Sequence, residues 1–168
     1  MKLKYVIIVV WFITSCQSKV ELSSVSPQNW SNRFINIDAL DSLEYGMSYL
    51  SIYSQMYSMN EKTIHNLTAM VSLRNTSITD SIYITNADYY DSKGKLVRKY
   101  FDKTIYLAPL ETTEIIIDEI DTSGGTGANF IFEWKTPSNC TEPIFEGVMN
   151  STEWQLGFSF ITQAKRIK

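Results

Sequence analysis

The stretch Phe130-Ile131-Phe132-Glu133-Trp134-Lys135 decides the fold class. Large aromatic rings stand at every second position, with Ile131, Glu133 and Lys135 between them. A period of two marks a strand with one face in a core and the other toward water. A helix would scatter the same rings around its circumference. Leu67, Ala69, Val71 and Leu73 alternate in the same way with Thr68, Met70, Ser72 and Arg74, until Asn75-Thr76-Ser77 breaks the pattern.

Working outward, residues 82–90 form a β-branched and aromatic run closed by Asp91-Ser92-Lys93-Gly94. Gly94 supplies the left-handed position of a type I turn with a bulge, so a hairpin is expected into residues 96–101. Residues 104–107 and 113–118 read as two more strands, separated by a turn at Pro109. Trp154, Leu156, Phe158 and Phe160 share one face of a late strand. Turn signals recur about every 8–12 residues and no long helical pattern competes, which predicts a sandwich or barrel. One helical turn is expected within residues 38–45. Tyr45, Tyr49, Tyr53 and Tyr57 recur every fourth residue, a spacing that gives one face on a helix or on a strand. Ser48, Ser51, Ser54 and Ser58, with Gly46, are poor helix formers, so the segment is read as extended. Its tyrosines are expected as core and sheet surface, with stacking on sugar or peptide as the functional alternative.

The amino-terminal end has a different character. Met1-Lys2-Leu3-Lys4 is a short cationic start, and an apolar run follows from Tyr5 to Ile13. That run is about half the roughly 20 residues a spanning helix needs, the length of a signal-peptide core. It ends in Ile13-Thr14-Ser15-Cys16, which resembles the lipobox of bacterial lipoproteins. The thiol accepts a diacylglyceryl group through a thioether, and small residues before it admit the peptidase. Residues 1–15 are therefore read as a lipoprotein signal peptide and Cys16 as the lipidated first residue of the mature chain. Two or three acyl chains, at ~0.8 kcal/mol per buried methylene, anchor stably where one chain would be marginal. Gln17 follows Cys16, and the absence of Asp there favours the outer membrane in a cell with two membranes. Residues 17–32 are rich in Ser, with Gln, Asn and one Pro, and read as a flexible tether of ~20–25 Å. The expected organisation is thus 1–15 signal peptide, 16–45 lipidated end and tether, and 46–168 folded domain.

Bulk properties agree with one modest domain. The chain has 168 residues, 44% hydrophobic and 20% charged, which is ordinary globular composition. Its formal charge of −3 falls to −5 when Lys2 and Lys4 leave with the signal peptide. An acidic surface argues against nucleic acid, whose binding is dominated by Lys and Arg neutralising phosphates.

Several stretches together resemble a bacterial lipoprotein family, domain of unknown function 3124. They are Tyr49-Leu50-Ser51-Ile52-Tyr53-Ser54, Val71 through Ser77, Tyr89-Tyr90-Asp91 through Gly94-Lys95-Leu96-Val97, and Leu107-Ala108-Pro109-Leu110-Glu111. Gly124-Gly125-Thr126-Gly127-Ala128-Asn129-Phe130, Glu133-Trp134 and Glu142-Pro143 complete the match over roughly residues 46–162. The resemblance implies an envelope location and carries no activity, ligand or catalytic residue. An Asn-ended strand before a tyrosine-rich hairpin is similar to accessory immunoglobulin-like domains, a likeness of fold that does not give function. The expected architecture is an immunoglobulin-like antiparallel β-sandwich of about seven to nine short strands.

The most distinctive loop is Asp121-Thr122-Ser123-Gly124-Gly125-Thr126-Gly127. Backbone N–H groups at Gly124, Gly125 and Gly127 suit an anion, but the Lys-Ser/Thr of a phosphate loop is missing and no helix follows. Asp118 and Asp121 raise calcium, yet the Asp-x-Asp-x-Asp-Gly spacing is absent, so a tight turn is the leading role. His65 is the only histidine, and Cys140 the only cysteine left after lipidation. A nucleophilic pair needs them adjacent with a third orienting group, and two ligands are too few for zinc. Cys140 is left without an intramolecular disulfide partner. Glu133, Glu142 and Glu146 lie near Trp134 and Phe145 in sequence, and two carboxylates about 5–10 Å apart suffice for glycoside hydrolysis. Asn66, Asn75, Asn139 and Asn150 begin glycosylation triplets, read as inert behind a bacterial lipobox. The expectation is a non-enzymatic envelope module without a cofactor, binding a protein, glycan or other envelope component through loops or a sheet edge. A carboxylate-based hydrolase of envelope glycans is the alternative.

Overall fold

The structure, a computed structural model, describes residues 22, 30–40, 42–152 and 157–168. Cys16, the signal segment, most of the tether, Trp154 and Leu156 lie outside the described residues. The chain is all-β and antiparallel, with two sheets packed on one core. The strands are β1 Leu43–Ile52, β2 Gln55–Ser58, β3 Asn60–Asn66, β4 Thr68–Arg74, β5 Ile82–Tyr90 and β6 Leu96–Lys99. They continue as β7 Ile105–Leu107, β8 Thr112–Ile117, β9 Ala128–Pro137, β10 Ile144–Ser151, β11 Phe158–Gln163 and β12 Lys165–Arg166.

The first sheet runs β12-β1-β9-β5-β6, with β7 also on β5; the second runs β11-β10-β4-β8. β2 and β3 form a separate hairpin. Among the described residues twelve strands stand where seven to nine were expected, because the tyrosine segment and the chain end break into short pieces. Among the described residues of 38–45, a turn closes at Ile37–Leu40 and β1 begins at Leu43, where one helical turn was expected. The hairpin at Asp91–Gly94 forms as its residues require: Gly94 has φ +75°, and the Asp91 carboxylate accepts from the Lys93 and Lys95 N–H groups.

Alternation places the core. Phe130, Phe132 and Trp134 on β9 point inward, with Leu50 and Ile52 of β1 beside them. Across the gap between sheets, the Phe132 and Phe145 rings stack at 4.2 Å between centroids. Tyr89 and Phe130 stack at 4.9 Å, so one aromatic file runs through the interior. Gly46 is required where β1 crosses Trp134, since a Cβ there would lie 2.2 Å from the indole. The packed body also takes in Trp30, which lies in the composition-defined tether but is buried, edge-on to Phe101 at 5.4 Å. One indole meeting a free core surface outweighs the polar composition around it.

β5 carries a bulge at Ile84/Asn86 that resets its alternation. Ile82 and Ile84 face inward before it, Ala87 and Tyr89 after it. The same reset turns Tyr83, then Asp88 and Tyr90, to the outer face.

Candidate functional site

The outer face of the first sheet gathers five of the ten tyrosines. In register, Tyr45 of β1 opposes Lys135 of β9, Lys135 opposes Tyr83 of β5, and Tyr83 opposes Tyr106 of β7. A second row sets Tyr49 beside Ile131, Asp88 and Lys99, and a third sets Ser51 beside Asn129 and Tyr90. Between the first two, Met47 opposes Glu133, which opposes Asn86. With strands ~4.8 Å apart, the Tyr45 and Tyr83 backbones lie ~10 Å from each other. All five rings reach solvent, Tyr49 the most at 37% exposed.

Polar groups between the rings are already oriented. The Tyr45 hydroxyl donates to Glu133 Oε2 at 2.9 Å, and Lys99 Nζ lies 3.3 Å from Asp88 Oδ2. Tyr90 donates to the same Asp88 oxygen at 3.5 Å. Partial burial, then the adjacent carboxylates, raise Tyr45 and Tyr90 above the ordinary tyrosine pKa, so both remain donors at neutral pH. Asp88 is buried, and its Oδ1 has no hydrogen-bond partner among the described residues. Such an oxygen normally finds a partner. The tyrosine spacing is visible in the sequence only for Tyr45 and Tyr49. Tyr83, Tyr90 and Tyr106 join them through pairing and the β5 bulge. Tyr53 and Tyr57 leave the row because the chain turns after β1: Tyr53 packs against Phe160 at 5.8 Å, and Tyr57 lies exposed on β2.

The glycine loop turns its polar groups inward. The Gly124 carbonyl accepts from Ser92 N–H and Oγ, and Gly125 O accepts from Ser54 Oγ. Gly127 N–H donates to Ser92 Oγ. Asp121 accepts from the Ser123 N–H and hydroxyl and pairs with Arg98 at 3.0 Å, almost fully buried. A Cβ at Gly124 would sit 1.8 Å from the Tyr89 hydroxyl, and Gly125 has φ +72°, so two of the three glycines are obligatory. Burial first, offset in part by the neighbouring Ser54, raises Tyr89 far above its ordinary pKa. The loop thereby fastens the 91–94 turn and the corner after β1 to one end of the sandwich.

The remaining candidates are dispersed. Glu133 is on the outer face of the first sheet, while Glu146 is on the outer face of the second, paired with Arg74 at 2.9 Å. Glu142 pairs with Arg166 at the side. His65 sits opposite Met56 in the β2–β3 hairpin. Cys140 follows the end of β9, its thiol half-buried against Thr141 O. Asn75 is buried, donating to the carbonyls of Asp80, Leu107 and Ala108 as a corner clamp. Among the described residues no three His, Cys, Asp or Glu side chains gather for a metal, and no helix is long and apolar enough to cross a membrane.

Two packed antiparallel sheets bearing a tyrosine-rich outer face define a small all-β sandwich module. The chain belongs to the family described as "Protein of unknown function (DUF3124)", which it matches over residues 45–167. No curated protein matches it. Among solved structures it is similar to the protein of "Crystal Structure of Thermotoga maritima 1070", at 9% identity and a TM-score of 0.43, covering 71% of this chain and 94% of that one.

Proposed function

We propose that the protein is a non-enzymatic cell-envelope binding module, held to the membrane by acyl chains on Cys16, and that the outer face of its first sheet takes a glycan. The tyrosine face carries this reading. Flat rings held on neighbouring strands stack on sugar rings, and the oriented groups of Glu133, Asp88 and Lys99 between them suit sugar hydroxyls. Glu133 and Glu146 stand on the outer faces of opposite sheets, which favours binding over a glycoside hydrolase built on that pair, since hydrolysis needs two carboxyls about 5–10 Å apart.

The test is co-sedimentation of the purified full chain with isolated peptidoglycan sacculi, and retention on an array of bacterial polysaccharides. Truncating an anchoring aromatic costs about 1–2 kcal/mol, so Tyr49→Ala with Tyr83→Ala is expected to weaken retention at least tenfold with the fold unchanged. Retention that ignores both rings, or no glycan retained at all, would refute the glycan reading. The anchor is tested separately: Cys16→Ser is expected to release the protein from membranes, and a variant still membrane-bound and normally processed refutes that half.

A further inference from the structure

The edges of the two sheets differ in one respect that has consequences for association. β12 ends the first sheet with Lys165 and Arg166, and β6 carries Arg98 and Lys99 at the other side. β7 is covered by the preceding segment, where Phe34 bridges Ile105 and Ile35 N–H donates to Thr104 O. In the second sheet, β8 carries Glu114. β11, Phe158-Ser159-Phe160-Ile161-Thr162-Gln163, carries no charge, no proline and no bulge, and Ile161 is 63% exposed. Folded proteins usually guard an edge with one of those devices, because an open row of N–H and C=O groups templates another strand.

The direction of that open row follows from the pairing. Ala164 N–H donates to Phe145 O, so the residues of the same parity, Thr162, Phe160 and Phe158, turn their backbone groups toward β10. Ser159 and Ile161 therefore turn theirs outward, and neither has a partner on that side among the described residues. Beside the edge lies an uncharged groove of about 470 Å³ lined by Tyr53, Met56, Tyr57, Thr126, Phe160 and Thr162.

We propose that β11 pairs antiparallel with β11 of a second copy of this chain, about a two-fold axis, joining the two second sheets into one. Charge selects this occupant. A two-fold pairing sets each edge against itself, so β6, β8 and β12 would bring like charges together, whereas β11 brings none. The register that pairs both Ser159 and Ile161 sets Ser159 opposite the partner's Ile161. It makes four backbone hydrogen bonds and places Phe160 opposite its own counterpart as a close, non-hydrogen-bonded pair. The partner's Phe158 and Phe160 then fall on the uncharged groove. This inference is independent of the glycan reading, since β11 lies in the other sheet.

The experiment is sedimentation velocity of the full chain in density-matched detergent across a wide concentration range, wild type beside Ser159→Lys with Ile161→Lys. Both substituted side chains lie at the solvent-facing edge, so the far-UV circular dichroism spectrum of the folded chain should not change. A wild-type dimer that dissociates at least tenfold more readily in the double variant is expected, because lysines then stand opposite lysines. A monomer throughout, or a dimer indifferent to the lysines, overturns the proposal. Hydrogen exchange of the wild type decides independently of any variant's folding: residues 158–163 must gain protection as concentration rises, and constant exchange there overturns the proposal.

Discussion

Replacing Asp121 by alanine tests whether the glycine loop holds the sandwich end closed. In the native structure Arg98 Nη2 lies 3.0 Å from Asp121 Oδ2, and Nη1 lies 3.0 Å from the Tyr100 hydroxyl. The aspartate side chain is 3% exposed and the arginine 18%. Removing one member of a buried pair strands the other charge and costs about 3–5 kcal/mol. The remaining exposure of Arg98 admits some water, which puts the expected cost near the lower bound, about 3 kcal/mol. Loss of the cap to Ser123 adds roughly 0.5–1 kcal/mol. At about 2–4 °C per kcal/mol for a chain of this size, the thermal midpoint should fall by roughly 7–16 °C. Urea unfolding followed by circular dichroism measures the free energy directly. Arg98→Met in the same chain removes the stranded charge, so the double variant should be more stable than Asp121→Ala alone, with a coupling of about 1–3 kcal/mol. A single-variant cost below about 1 kcal/mol, or strict additivity of the two changes, would refute this account of the loop.

Two further outcomes follow from local geometry. Gly46→Ala drives a Cβ into the Trp134 indole, and overpacking of that kind costs about 1–3 kcal/mol, so urea unfolding should show that loss together with altered tryptophan fluorescence. Partial burial of Glu111 works against its ionisation. The Ala108 N–H at 2.7 Å and Arg33 at 2.6 Å overrule that and hold its carboxyl below the ordinary value of 4.5. A depressed folded-state pKa means this stabilisation is complete above the unfolded value and lost as pH falls through the folded one. Glu111→Gln should therefore flatten the decline of stability on acidification, and an unchanged acid profile would count against the Arg33–Glu111 tie.

Much of the strand plan was legible because period-two alternation depends only on nearest neighbours. β4, β5 and β9 appear where Leu67–Leu73, residues 82–90 and Phe130–Trp134 alternate, and Gly94 marks its hairpin because few other residues take that φ without strain. The short strands were less legible, since two- to four-residue pieces such as β12 and β2 carry too few alternations to show a period. Trp30 was concealed by polar neighbours, for composition does not register which single ring meets a core.

The candidate surface divides along the same line. From the residues alone came the all-β class and the turn chemistry of Asp121–Gly127. These are local properties, fixed by which residues stand within a few positions of one another. Tertiary structure decided that Tyr83 and Tyr106 join Tyr45, that Glu133 and Glu146 face opposite ways, and that β11 is the end strand of its sheet among the described residues. Each of those depends on strand order, register or a single bulge in β5, and those are set by packing between segments far apart in the chain. A one-residue shift in pairing turns every side chain of a strand to the other face, so no local pattern contains that information.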